Sequence, residues 1–241
     1  MMSEFFEITD LKWGPIQYYL NGYRNSNDNE IIENYCIAMS NHMFPLSVRC
    51  DEFEFLKNLI IKYNLKSGFE LATAFGVSAV ALGTGFKQTG GKLLTMDAYI
   101  EETSETYDPE YPGATTNYDA DGFKSVNYLI EHFRLKDVVN PQIGWSPVDV
   151  KKVVESHSRK TFDFLFLDGG HSPEQIIRDL YAIRPFLEKE YIIVLHDYYE
   201  NVYTEEVNLV VDKLFGIQPI IELSNPFGDN LAVIYNKKIG Q

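Results

Sequence analysis

The stretch SGFELATAFGVSA, Ser67 to Ala79, constrains this chain most, because it reads as a strand that stops, turns and restarts as a helix. Gly68-Phe69-Glu70-Leu71 has the pattern of the end of a buried strand. Ala72 to Gly76 is a run of small residues with one aromatic, and VSAVALGTGF from Val77 carries apolar residues at helical spacing. Small residues in the turn let the backbone approach a ligand closely, and the helix N-terminus that follows presents N–H groups suited to an anionic one. An ordinary strand-to-helix turn has the same signature, so the strands that follow must decide between the two.

They extend the unit in one direction. A helix over DEFEFLKNLIIKY, about Asp51 to Tyr63, leads into the first strand. After the helix from Val77, a Gly90-Gly91 turn precedes a second strand, KLLTMDAY, with Asp97 at its end. Strand, helix and strand in about thirty residues form a βαβ unit, which implies a parallel sheet with a right-handed crossover. A helix over FKSVNYLIEHFRL, a short third strand, Gly144-Trp145-Ser146-Pro147 and a helix over VDVKKVVESH follow. Next comes FDFLFLD, then Gly169-Gly170-His171-Ser172-Pro173, a helix over EQIIRDLYAIRPFL and the strand YIIVLHD. Continuous apolar runs of this kind belong to central strands buried on both faces. The tail reads as a helix (VNLVVDKLF), a strand (QPIIELS), a turn at Asn225 to Asn230 and a closing strand (LAVIYNK), joined closely enough to be antiparallel.

In an open parallel sheet, ligands bind outside the carboxyl ends of the strands. Asp97, Ser146, Asp168, His171, His196 and Asp197 all fall at that edge. A single acid there is often only a helix N-cap, but several strands in succession delivering polar residues to one edge predict a site.

Two segments lie outside this frame. Residues 1–50 are aromatic and irregular and are read as a cap on the same domain, with 51–241 as the ligand-binding domain. Residues 101–122, EETSETYDPEYPGATTNYDADG, read as a long acidic loop, either a lid carrying Tyr107, Tyr111 or Tyr118 or a solvated insertion.

Composition narrows the partners. With 241 residues, 45% of them hydrophobic, the chain can bury one sizeable core. A net charge of −14, from 21 basic against 35 acidic residues and with no basic run, argues against nucleic acid or an anionic membrane as partner. Cys36 and Cys50 have neither metal-ligand nor redox spacing and fit a reducing compartment. MMSEFFEITD lacks a signal-peptide core, and no apolar run reaches membrane-spanning length, so a cytoplasmic location is expected.

A parallel sheet that ends in an antiparallel hairpin, together with ELATAFGVSAV, LLTMDAY, IGWS, FDFLFLDGGHSPE and IIVLHD in that order, resembles the class I S-adenosylmethionine-dependent methyltransferases. Within them the chain is similar to the small-molecule O-methyltransferases of the catechol and caffeoyl-coenzyme A type and their bacterial relatives, over about residues 50 to 238. The resemblance implies an α/β fold with a Rossmann-like, seven-stranded, mostly parallel sheet and helices on both faces.

It also implies roles. Glu70 and the backbone of Ala72 and Gly76 would line the methionine part of S-adenosylmethionine, and Ser78 would reach its carboxylate. The family usually has glycine at Ala72, and alanine suits a close approach there only at negative φ. Asp97 would accept both ribose hydroxyls. Gly144, Trp145 and Ser146 would border the adenine, with Trp145 either stacked on it or serving as core filler. Asp168 would border both the cofactor and a cation. In the metal-dependent relatives Mg²⁺ is held by an acid after strand four and an Asp-Asn pair after strand five. Here Asp168 and Asp197 match the acids, but Tyr198 stands in place of the Asn, leaving His196 as a candidate third ligand that would favour a softer divalent metal. The family's basic Lys is replaced by His171, which titrates near neutrality and suits proton removal.

The function implied is methyl transfer to the hydroxyl of a small acceptor, with Asp168, His171 and His196 as catalytic candidates. The alternatives are a metal-independent methyltransferase with His171 or His196 as base, a catalytically silent cofactor-binding module, and an NAD(P)-dependent oxidoreductase. The last is disfavoured because the first loop lacks G-x-G-x-x-G. Oligomeric state is open, with a homodimer one candidate.

Overall fold

The computed structural model describes residues 48, 50–74, 76–98, 122–170, 172–198, 204–224 and 230–236. The tyrosines of the acidic loop, Cys36, His171 and nearly all of the 1–50 segment therefore lie outside the described residues. The elements run α1 (Cys50–Tyr63), β1 (Ser67–Leu71), α2 (Val77–Thr89), β2 (Lys92–Asp97), α3 (Gly122–His132), β3 (Val139–Ile143) and α4 (Val150–Ser156). They continue with β4 (Phe162–Leu167), α5 (Pro173–Ile183), β5 (Leu187–Leu195), α6 (Thr204–Phe215), β6 (Ile220–Ser224) and β7 (Asn230–Tyr235). The strands form one seven-stranded sheet in the order β3-β2-β1-β4-β5-β7-β6. β1 to β5 pair in parallel, and β7 is antiparallel to both β5 and β6. The closing hairpin expected from the sequence is thus present.

Alternation along the central strands builds the two faces. Phe164 and Phe166 of β4 and Ile192 and Val194 of β5 join one core cluster, which α1, α2 and α3 cover with Leu56, Ile60, Phe86, Val126 and Leu129. Phe162, Leu165 and Leu167, with Ile193 and Leu195, join the other, covered by α4, α5 and α6 through Val153, Leu180, Val207 and Val211. Every residue of β4 is buried, as its uninterrupted apolar run requires. α1 and α2 approach closely because Gly85 has no side chain: a Cβ there would lie 3.0 Å from the carbonyl oxygen of Lys57.

Some boundaries differ from the sequence expectation. The helix expected over EQIIRDLYAIRPFL stops at Ile183, and Arg184–Phe186 form a 3₁₀ turn around Pro185, which cannot donate to a continuing helix. β5 then starts at Leu187, ahead of the apolar run, because Leu187 pairs with Phe162. The polar Glu188-Lys189-Glu190 hid that extension. The expected FKSVNYLIEHFRL helix ends at His132, where Arg134 turns to φ 54° and the amide of Leu135 closes on the carbonyl of Ile130.

Register sets where the site lies. Ile143 pairs with Asp97, Met96 with Leu71, Leu71 with Leu167, and Leu167 with Leu195. The carboxyl ends of five adjacent strands are therefore flush, and the next residues, Gly144, Ala72, Asp168 and His196, share one edge with Asp97. Chain order reverses direction across the sheet between β1 and β4, the switch point at which open α/β sheets bind ligands.

Candidate active site

The loop after β1 is held in an unusual conformation. Ala72 has φ 69°, Ala74 φ 45° and Gly76 φ 94°. Left-handed backbone costs an alanine about 1–2 kcal/mol. Three hydrogen bonds hold it: Ala72 N donates to Met96 O at 2.9 Å, Ala74 N to Asp97 Oδ2 at 2.9 Å, and Gly76 N to Thr73 O at 2.8 Å. This corrects the expectation of negative φ at Ala72: the loop keeps the glycine-type conformation and an alanine occupies it. Gly76 caps α2 with no side-chain bond to the helix, and a Cβ at its position would meet Val126 Cγ2 at 2.9 Å.

Beneath the loop lies Glu70, fully buried. Thr95 donates its hydroxyl to Glu70 Oε2, and the Thr73 and Thr95 hydroxyls are themselves bonded. Burial pushes the Glu70 carboxyl up to about 8 from an ordinary 4.5, against the opposing bonds from Ser78 and Thr95, while Asp168 and Asp97 push it further up. Glu70 and Ser78 thus lie together under the turn, both buried, with Ser78 favouring the ionised carboxyl.

At the β3 end, Gly144 is buried, whereas Trp145 is 49% exposed, which removes the core-filler reading for its ring. Its amide donates to Asp149 Oδ2 at 2.9 Å. Ser146, followed by a cis peptide bond to Pro147, donates its hydroxyl to Asp179 Oδ1. Gln175 Nε2 lies 3.0 Å from that same oxygen and 3.2 Å from the carbonyl of Ser146. Burial raises the Asp179 carboxyl, against these two side-chain bonds. Sequence reasoning missed Gln175 and Asp179. The available signal was an acid set among Ile176, Leu180 and Ile183 on the apolar side of an amphipathic helix.

Past β4 and β5, the structure brings Asp168, His196 and Asp197 together, each offering one ligand atom within 4.8 Å of the others. The amide of Asp168 donates to Leu71 O and that of His196 to Leu167 O, which fixes both residues to the sheet. Asp197 is left-handed at φ 52°, a bend that returns its carboxylate toward the β4 end. His196 Nδ1 lies 2.7 Å from Asp168 Oδ1 and 3.3 Å from Asp197 Oδ1, without the geometry of a hydrogen bond. On the other side of the ring, Nε2 lies 3.3 Å from Oε2 of the fully buried Glu52. Burial alone would pull the His196 imidazole below 6.5, but the Asp168 charge and then the contacts with Asp168, Asp197 and Glu52 outweigh it and hold it well above.

Tyr198 takes no part in this cluster. It is buried, and its hydroxyl donates to Asn208 Oδ1. Two carboxylates and a buried imidazole nitrogen without a hydrogen bond make a donor set that fits a divalent cation, and the nitrogen suits the first transition row better than Mg²⁺. Glu52 was missed from sequence because an acid in the first turn of a helix is already explained by the helix dipole.

A family model described as a methyltransferase domain matches residues 69–198, which run from β1 through the His196-Asp197 end of β5. Solved structures share the fold. An O-methyltransferase from Bacillus cereus in complex with SAH is 14% identical with a TM-score of 0.58, covering 92% of this chain and 96% of that one. The O-methyltransferase TomG from Streptomyces achromogenes, involved in tomaymycin synthesis and solved with SAM, is 13% identical with a TM-score of 0.59, covering 94% and 97%. A methyltransferase from Geobacter sulfurreducens is 13% identical with a TM-score of 0.59, covering 92% and 96%.

Proposed function

Because this chain belongs to the methyltransferase-domain family, we propose that it transfers the methyl group of S-adenosylmethionine to a hydroxyl of a small-molecule acceptor. The observation that carries this reading is the flush edge. The left-handed turn after β1, Asp97 at the end of β2, and Asp168, His196 and Asp197 after β4 and β5 stand side by side across the switch point. The SAH and SAM complexes of the B. cereus and S. achromogenes proteins support the choice of cofactor.

Each residue has a task in that reading. The backbone of Ala72 and Gly76, held over Glu70 and Ser78, bounds the methionine portion. Asp97, which already anchors Ala74, holds the ribose hydroxyls as a carboxylate. Gly144 and Ser146 border the adenine, and the exposed Trp145 ring offers it a stacking face.

Transfer is an in-line displacement. The acceptor oxygen forms a bond to the methyl carbon, the carbon–sulfur bond breaks, and its electron pair returns to sulfur while the hydroxyl proton passes to a base. Proximity supplies much of the acceleration. Asp168 and Asp197 orient the acceptor, and His171, outside the described residues, is the proposed base with His196 as second candidate. Asp168, His196 and Asp197 would hold a divalent cation, which would supply Lewis acidity that makes an acceptor hydroxyl easier to deprotonate.

A metal-independent reading has its own support: the neighbouring acids favour a charged His196, which balances them without a cation. Activity that survives chelation would favour it. Residues 51–241 are proposed as the methyltransferase domain and 1–50 as its cap. Among the described residues no helix is long and apolar enough to cross a membrane. The acidic charge and sparse cysteines fit the proposed cytoplasmic setting.

The test is calorimetry with S-adenosylmethionine, S-adenosylhomocysteine and NAD(H), followed by methyl transfer to a panel of hydroxylated acceptors with and without chelator. Binding of NAD(H) but of neither adenosyl ligand would overturn the proposal. Tight cofactor binding with no transfer to any acceptor would point to a silent binding module. His171→Gln is expected to lower turnover by roughly 10²–10⁴, the span of a lost general base.

A further inference from the structure

We infer that Glu52 is a positioning residue for His196: it orients the imidazole so that Nδ1, with Asp168 and Asp197, forms a nitrogen-containing site for a divalent cation of the first transition row. This rests on the cation reading above and adds to it a residue from a distant helix.

Two adjacent acids open α1, and the fold treats them differently. Asp51 is exposed, where it can complement the helix dipole from solvent. Glu52 has no exposed surface. Burying a carboxylate costs several kcal/mol unless a charged or hydrogen-bonding group meets it, so its placement calls for a specific partner. Its side chain meets His196 Nε2 at 3.3 Å, 144 residues along the chain. The Phe166 ring packs edge-on against the imidazole at a centroid distance of 6.0 Å and limits its rotation.

The geometry then dictates the other nitrogen. A ring that gives its Nε2–H to Glu52 leaves Nδ1 to act as a ligand. Nδ1 points at Asp168 and Asp197, at 2.7 and 3.3 Å, and neither contact has the direction of a hydrogen bond. A cation shared by the three side chains accounts for that approach. Carboxylate, histidine and metal in series is the usual way a protein fixes the orientation of a metal-binding imidazole, and losing the outer carboxylate weakens metal affinity by about 10- to 100-fold. An imidazole donor also favours Mn²⁺, Co²⁺ or Zn²⁺ over Mg²⁺.

The experiment uses the full-length chain. Mn²⁺ binding is followed by loss of the free-ion EPR signal, with Mg²⁺ as competitor, for wild type, Glu52→Gln, Glu52→Leu and His196→Gln. Calorimetry with S-adenosylhomocysteine reports that each variant is folded. The expected result is Mn²⁺ binding to wild type with ¹⁴N modulation in pulsed EPR that His196→Gln abolishes. Affinity should fall about 10-fold in Glu52→Gln, which still accepts from Nε2–H, and toward 100-fold in Glu52→Leu. Unchanged Mn²⁺ affinity in both folded Glu52 variants overturns the role of Glu52 and leaves the cation reading standing. No Mn²⁺ binding by wild type at millimolar concentration overturns both. Should the Glu52 variants not fold, ¹⁵N-histidine NMR of the Zn²⁺-loaded wild type decides. Zinc on Nδ1 with a proton on Nε2 supports the inference, and zinc on Nε2 or no zinc shift at His196 overturns it.

Discussion

The backbone amide of Ala74 donates to Oδ2 of Asp97 at 2.9 Å, so the loop after β1 hangs on the residue that ends β2. Asp97 thereby serves both the loop and the proposed ribose site, and two substitutions separate these roles. Asp97→Asn retains an acceptor for Ala74 and should keep a melting temperature near wild type while losing cofactor affinity. Asp97→Ala should lower both, with a total affinity loss of about 1.5–3 kcal/mol, the range for hydrogen bonds to a charged group. Calorimetry and thermal melts of the pair check it. Equal melting temperatures for the two variants would show that the loop does not depend on the carboxylate.

Ala72 at φ 69° occupies a backbone region that glycine adopts without strain. Ala72→Gly should therefore raise stability by about 1 kcal/mol despite the extra freedom of the unfolded chain. The urea midpoint should rise with an unchanged m-value. A lower midpoint would mean that the Ala72 methyl is held by packing that outweighs the strain.

Glu70 carries a pH signature. Its carboxyl is raised to about 8 in the folded chain against an ordinary 4.5, so the unfolded chain releases this proton first as pH rises. Its stabilising contribution is full below about 4.5 and is lost as pH climbs through about 8, on the order of a few kcal/mol. Unfolding free energy measured from pH 5 to 9 should fall across this window in wild type, and Glu70→Gln should flatten the fall. A slope of equal size in the variant would assign it to another group.

Removing the Asp168 charge should release His196. The imidazole is held well above 6.5 by that charge first and then by its contacts with Asp168, Asp197 and Glu52. Its stabilising contribution is therefore full below about 6.5 and is lost as pH rises through the higher folded value. In Asp168→Asn the His196 pKa should drop, seen by ¹H–¹⁵N NMR titration of the ring, while S-adenosylhomocysteine affinity stays within a few-fold. Methyl transfer should be lost. An unshifted ring titration would contradict the pairing.

Much of the fold was legible because its signals are local. Apolar runs such as FDFLFL and IIVL can be satisfied only between two helical layers, and the short Asn225 to Asn230 connection forces the last two strands antiparallel. Period and punctuation also placed Asp97, Asp168, His196 and Asp197 at strand ends, since a strand stops where its apolar pattern stops. That reading failed at Leu187 to Glu190, where β5 begins ahead of its apolar run: Leu187 pairs with Phe162, and after a register shift the ladder resumes at Ile192.

What only the tertiary structure decided is which side chains meet. Nothing in DEF near residue 52 says that one acid faces solvent while the next is buried against a histidine 144 residues away, because that choice depends on how α1 packs on α2 and on the sheet edge. The same holds for Asp179 on α5, which reaches across to Ser146 after β3, and for Tyr198, which bonds Asn208 and leaves the cluster to its two predecessors. The sign of φ at Ala72 was likewise set by distant groups, through Met96 O and the Asp97 carboxylate that hold the turn. Burial patterns are written along a chain with the period of its secondary structure. Partners across packed elements are chosen by the angles and separations of those elements, and such long-range geometry leaves no periodic trace in the sequence.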